Sequence, residues 1–204
     1  MLMNFPALSM PYDRIRLASA SPRRSQLLRQ IGVAHEVRPV DLDESRRAGE
    51  SPRDYVLRVA REKASAGAAM GGDLPVLAAD TTVAIGEEIF GKPRDENDGV
   101  RILAALSGRS HGVLTAVALA KDGRIETVIS ETRVTFRALS EAECRNYWAS
   151  GEPVDKAGAY AIQGLGAVFI ARLEGSYSGV MGLPLCETAA LLDSAGVRRW
   201  HAGA

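Results

Sequence analysis

The sequence predicts an α/β fold, one unit in which short strands and capped helices alternate around a mixed sheet. Three observations carry this reading. Short apolar runs end on turn residues, helix starts carry caps at the expected spacing, and strands and helices follow one another in mixed order with no internal repeat or linker. At 204 residues the chain can bury a sizeable core as one unit.

Taken in order, Ile15 to Ser19 reads as a short buried strand, and Ser21 with Pro22 opens a helix to about Ile31, stopped by Gly32. His35 to Val40 reads as a strand and Asp41 to Gly49 as a charged loop. Ser51-Pro52 then opens a second helix toward Met70, on which Tyr55, Val59 and Lys63 share a face at i, i+4, i+8. This places a lysine in line with the buried stripe. Leu74 to Ala79 is apolar enough for a fully buried strand ending at Asp80, with Thr82 to Ile85 extended before a turn at Gly86. Asp95 caps a helix carrying Val100, Leu103, Ala104 and Leu106, closed by Gly108. Val113 to Ala120 and Ile125 to Phe136 flank Asp122-Gly123, a dipeptide that supplies the positive φ angles of a tight hairpin. Ser140 with Glu143 forms a capping box for a helix ending at Gly151. A strand near Ala167 to Leu173 and a helix from Pro184 through Leu191 and Leu192 to Gly196 complete the unit.

Composition narrows the function. With 25 basic and 25 acidic residues the chain lacks the net positive charge of a general nucleic-acid or anionic-membrane surface. Any cationic site must be local. Cys144 and Cys186 stand far apart with no CxxC, which suggests neither a disulfide framework nor a zinc site and fits a reduced, cytoplasmic setting. Met1 to Asp13 is broken by Pro6 and Pro11 and reads as a loosely ordered leader, neither signal peptide nor span. The expected organisation is a leader over 1–13, a domain over 14–197 and a tail over 198–204.

Two places stand out chemically. Arg23 and Arg24 fall in the first turn of a helix, where cations run against the helix dipole unless an anion sits among the open amides. Bidentate arginines beside such amides suit phosphate. Asp80 closes an apolar strand, where open α/β sheets place ligands, and is a candidate metal ligand or general base. The ordinary reading, in which Asp80 bonds the Thr81 or Thr82 backbone in a turn, stands behind the functional one. Gly86 to Pro93 mimics a phosphate-binding P-loop. Pro93 sits where a magnesium-binding hydroxyl belongs and Glu87 and Glu88 would repel phosphate, so the segment reads as a turn that ends on Lys92. Asp43, Glu44, Lys63, Lys156 and Gln163 are further candidates. Two carboxylate regions with several cations suit a metal-bound triphosphate, whose leaving pyrophosphate gathers charge. His35, His111 and His201 lie in unrelated contexts and read as strand or tail residues.

From about Ile15 to Gly196 the sequence resembles the Maf family, also called septum formation inhibitor proteins. The resemblance rests on Leu17-Ala18-Ser19-Ala20-Ser21-Pro22-Arg23-Arg24, Arg61-Glu62-Lys63, Ala79-Asp80-Thr81, Gly91-Lys92-Pro93, Leu106-Ser107-Gly108, Asp155 to Tyr160, Ile162-Gln163-Gly164 and Gly182-Leu183-Pro184. It implies a Maf/ITPase-like unit, a mixed sheet flanked by helices with a cleft between two lobes. It also implies metal-dependent hydrolysis of nucleoside triphosphates between the α and β phosphorus atoms, with magnesium, manganese or cobalt. By matching position, Asp80 resembles the proton acceptor, and Ser19, Arg23, Arg24, Glu44, Lys63, Lys92 and Lys156 resemble phosphate or metal contacts. Arg23, Thr81 and Gln163 resemble positions that set base preference in the branch cleaving dTTP and UTP. The metal-side acid stays open between Glu44 and Asp43. The implied partner is the nucleotide, with room for a homodimer and for an effect on cell division. The alternative is a nucleotide-sensing regulator of septation with little turnover.

Overall fold

The computed structural model describes residues 12–200. Its centre is a seven-stranded mixed sheet, built from β1 (Ile15–Leu17), β2 (His35–Val37), β3 (Val76–Ile85), β4 (Glu88–Phe90), β5 (Ser110–Lys121), β6 (Arg124–Phe136) and β7 (Ile170–Glu174). The order is β2-β1-β3-β5-β6-β7, with β4 on β3. β1 runs parallel to both β2 and β3, and the remaining pairs are antiparallel. The β5–β6 hairpin turns at Asp122 and Gly123, whose φ angles of 49° and 73° are those the dipeptide predicts.

Among the described residues six α-helices clothe the sheet: α1 (Pro22–Gln30), α2 (Pro52–Ala69), α3 (Glu96–Leu106), α4 (Glu141–Ala149), α5 (Tyr177–Met181) and α6 (Leu185–Ser194). Their starts follow local chemistry. The Ser51 and Asp95 side chains accept from the amides of Asp54 and Asp98, and Ser140 and Glu143 close both bonds of the capping box. Pro184 differs from expectation, standing as the N-cap of α6 rather than inside its first turn. Among the described residues no helix is long and apolar enough to cross a membrane.

The alternation of β3 and β5 distributes their side chains between two faces. Val76, Ala78, Ala116 and Ala118 pack with Ala60 and Ala64 of α2, whereas Leu77, Ala79, Val117 and Leu119 pack with Leu27 and Leu28 of α1 and Leu191 and Leu192 of α6. Alanine under α2 lets the helix lie close to the sheet, so that Lys63 reaches a strand residue directly. A third cluster joins Val83, Phe90, Leu103, Phe136, Tyr147, Tyr160 and Phe169, gathering α3, α4 and the loops after α4 on the far end of the sheet. Each large side chain buried there stabilises by roughly 1.5–3 kcal/mol. That cluster anchors the segments carrying Lys92, Lys156 and Gln163.

Tyr12 and Asp13, assigned above to the leader, are joined to the fold. The Tyr12 amide donates to Gly196 O, and Asp13 pairs with Arg198 at 3.1 Å. Residues 1–11 and 201–204, including His201, lie outside the described residues.

Candidate active site

The site grows out of a gap in the sheet. β5 covers one edge of β3 from Val76 to Ala84. On the other edge β1 stops opposite Leu77 and β4 begins opposite Val83, so between these points no described strand lies beside β3. A cavity of about 860 Å3 opens there. Asp80 therefore sits within a continuous ten-residue strand, which corrects the expectation that the strand ends at this acid. The strand continues because Asp80 to Val83 keep their antiparallel register with β5 and because the carboxylate has a buried cation partner.

That partner is Lys63. Its ammonium lies 2.9 Å from Asp80 Oδ1 and 2.9 Å from Glu44 Oε1. Lys63 and Asp80 are both buried, at 8% and 6% exposure. Burial pushes the Asp80 carboxyl above its ordinary range, against the opposing pull of Lys63 and Arg24. Tyr55 stands half-buried in the same wall, its hydroxyl pushed up to about 12 by burial and by the Asp80 and Glu44 carboxylates. Of the two acids left open by the sequence, Glu44 faces the cavity, while Asp43 Oδ1 accepts from the Ser45 amide at 2.9 Å.

Thr81, the next residue, serves the opposite face. Arg24 of α1 donates from Nη2 to Thr81 Oγ1 at 3.3 Å, from Nη1 to Ser19 Oγ at 3.0 Å and from Nε to Gly182 O at 2.9 Å. Thr115 Oγ1 donates to Gly179 O, so the 3.0 Å contact between the two threonines takes its proton from Thr81. This chain of part-buried and buried bonds ties α1, β3, β5 and α5 together. Arg24 still has two N–H groups uncommitted to these bonds. The Ser21 side chain makes no capping bond, leaving the first amides of α1 open beside Arg23.

The far wall carries Lys92, Lys156 and Gln163. Lys92 follows β4, so the pseudo-P-loop is a β3–β4 hairpin and contains a strand where the sequence reads only a turn. The Gly158 amide donates to Gly91 O at 3.1 Å and links the Lys92 segment to the Lys156 loop. Asp155 and Ala159, on either side of Lys156, hold positive φ angles of 65° and 56°, strain of the kind that collects at functional loops. Burial and the Arg23 guanidinium lower the Lys156 ammonium. Gln163 is exposed at the rim, and among the described residues its side chain makes no hydrogen bond, including none to its own loop.

Of the candidates singled out in the sequence, all but Asp43 thus line one cavity. Its wall holds five cations, Arg23, Arg24, Lys63, Lys92 and Lys156, against three carboxylates, Glu44, Asp80 and Asp155. A surplus of cations in a partly buried space favours a polyanion. The donor set also fits a hard divalent cation. Glu44 and Asp80 each bond the Lys63 ammonium through one oxygen, which leaves the second oxygen of each outside that ion pair, and magnesium commonly takes one or two carboxylates and completes its shell with water and phosphate oxygen. Among the described residues no group of three or more acids, histidines or cysteines could hold a metal unaided. Thr115 and Tyr55 are site residues that motif reading does not single out. Only Tyr55 carried a signal, its helical spacing from Lys63.

The family model for Maf-like proteins matches residues 14–195. The chain belongs to the Maf family. Curated Maf relatives are similar along nearly their whole length. A protein of Bordetella parapertussis is 53% identical over 204 residues, covering 96% of this chain and 99% of its own. One from Saccharophagus degradans is 54% identical, covering 91% and 90%, and one from Anaeromyxobacter sp. (strain Fw109-5) is 57% identical, covering 90% of each. All three are named dTTP/UTP pyrophosphatase. Among solved structures, the Staphylococcus aureus Ham1 protein aligns with 63% of this Maf chain and 72% of its own at TM-score 0.40 and 13% identity.

Proposed function

We propose that this Maf protein is a cytoplasmic, divalent-metal-dependent nucleoside triphosphate pyrophosphatase that hydrolyses dTTP and UTP to the monophosphate and pyrophosphate. The observation that carries this reading is the buried Asp80–Lys63–Glu44 group at the gap in the sheet, ringed by Arg23, Arg24, Lys92 and Lys156. The names of the relatives supply the nucleotides.

Asp80 accepts the proton of the attacking water. Its desolvation makes it a stronger base than a surface carboxylate, and Lys63 orients it. Ser19, Arg23 and Arg24, with the open amides of α1, hold phosphate at the near wall, and Lys92 and Lys156 hold it at the far wall. Cations placed where pyrophosphate departs offset the charge that builds on it. Glu44 and Asp80 would hold the divalent cation, which when bound supplies further neutralisation of phosphate charge. A sensor without turnover would need the cations but has no use for a buried base.

Chelator should stop hydrolysis and added magnesium, manganese or cobalt should restore it, with no change in thermal melting beyond the small shift of ligand linkage. Hydrolysis that persists in excess chelator contradicts the metal assignment. Arg23, Thr81 and Gln163 are assigned to base preference, as the family resemblance implies, with Gln163 as the reader of the base edge. Thymine and uracil present an N3–H donor between two carbonyls, which a glutamine amide can meet with both its acceptor and its donor, whereas cytosine lacks that proton. Gln163→Ala should lower kcat/KM for dTTP and UTP about ten-fold more than for CTP. Equal losses for the three nucleotides would remove Gln163 from base recognition.

A further inference from the structure

The Gln163 loop is held from behind by two residues that do not line the cavity. Tyr147 of α4 sits under it and donates from its hydroxyl to Glu152 Oε1 at 2.7 Å. The same hydroxyl accepts from the Ala161 amide at 3.0 Å. Glu152 Oε2 accepts from the Leu165 amide at 2.9 Å, and Oε1 accepts from the Gly166 amide at 2.9 Å. The backbone is therefore pinned two residues before Gln163 and two and three residues after it.

Sterics match this clamp. A Cβ at Gly164 would lie 2.1 Å from Glu152 Oε2, and one at Gly166 would lie 2.7 Å from the Tyr147 hydroxyl, so the glycines admit the clamp at this distance. The clamp is itself rigid. The Tyr147 ring meets Phe169 edge-on at 4.9 Å, and the capping box fixes the start of α4. Burial would raise the Glu152 carboxyl, but the donors from Gly166, Tyr147 and Leu165 outweigh it and leave the group below its ordinary value.

We infer that Glu152 and Tyr147 are positioning residues for base selection, fixing the backbone that carries Gln163 so that its amide reaches the base from the one place that separates uracil and thymine from cytosine. The inference rests on the assignment of Gln163 to the base and adds the device that makes that assignment selective. A side-chain amide on a fixed backbone has fewer positions from which to adapt to the wrong base edge than one on a loop that can shift.

The test uses the full chain with magnesium and compares kcat/KM for UTP, dTTP and CTP in the parent, Glu152→Gln, Gln163→Ala and the double variant. In Glu152→Gln one carboxamide end must face a backbone N–H, donor against donor, whichever way it turns, so the clamp loses at least one bond. The UTP to CTP ratio should fall about ten-fold in Glu152→Gln, with kcat/KM for CTP within about two-fold of the parent. Adding Glu152→Gln to Gln163→Ala should leave the ratio where Gln163→Ala put it. Tyr147→Phe, which keeps the ring packing, should shift the ratio in the same direction and serves if Glu152→Gln folds poorly. A ratio that changes in Gln163→Ala but not in the clamp variants, or clamp variants that slow all three nucleotides equally, overturns the positioning role and leaves the base reading standing. A ratio unmoved by Gln163→Ala overturns both.

Discussion

Asp80→Asn is expected to yield a folded protein whose turnover of dTTP and UTP falls by at least about a hundred-fold, the lower end of what a positioned base contributes. The fold should persist because asparagine keeps the volume and the β3–β5 ladder runs through the backbone. Lys63 is not stranded either, since Glu44 remains 2.9 Å away. What is lost is the proton acceptor and one of the two carboxylates offered to a divalent cation. Kinetics beside a thermal melt separate the two effects. Turnover within a few-fold of the parent would sink the assignment of Asp80 as base.

Lys63→Met should be the more damaging change to the protein itself. Methionine fills a similar volume but leaves Asp80 and Glu44 facing each other without the ammonium, and removing one partner of a buried pair typically costs about 3–5 kcal/mol. Glu44 is partly solvated and Asp80 can take up a proton, which places the cost at the lower end, about 3 kcal/mol, or a fall in Tm of roughly 6–12 °C for a chain of this size. Millimolar magnesium should recover part of that loss, because a cation bound by the two carboxylates stabilises the folded state only. An unchanged Tm, or a fall that magnesium leaves untouched, would mean that these groups do not share one cation position.

Local chemistry was legible wherever a residue acts on its neighbours in sequence. The Ser140–Glu143 box, the Asp95 and Ser51 caps and the Asp122-Gly123 turn each follow from bonds spanning a few residues, and each is found. The alignment of Lys63 with Val59 also follows from helical spacing, and it explains why a lysine is carried into the buried side of α2. What was not legible depends on where distant strands cease to pair. The apolar run before Asp80 suggested a strand end, yet the strand passes through it. The opening for ligand comes instead from β1 stopping short of β4 along the same edge. β4 was hidden inside a false P-loop, and the five-residue α5 is too short to show a period. The Arg24–Thr81–Thr115 chain and the bonds from the clamp to the backbone of the Gln163 loop join residues 13 to 64 positions apart, beyond the reach of any spacing rule.

The family resemblance supplied the remainder. From residue types alone, Arg23, Arg24, Asp80 and Lys92 were separate possibilities, each with an ordinary structural reading. Their meeting on one wall-to-wall cavity with Lys63, Glu44 and Lys156 turns scattered charges into a site with more cations than acids. Such a site suits phosphate, and its buried carboxylate suits hydrolysis.

The central claim is cleavage between the α and β phosphorus atoms, and product analysis by phosphorus NMR tests it most directly. The full chain is incubated with dTTP and magnesium until substrate is consumed. The account predicts one pyrophosphate signal and an equal amount of dTMP, with no inorganic phosphate beyond background. Formation of dTDP with inorganic phosphate, or intact dTTP after prolonged incubation, would contradict it.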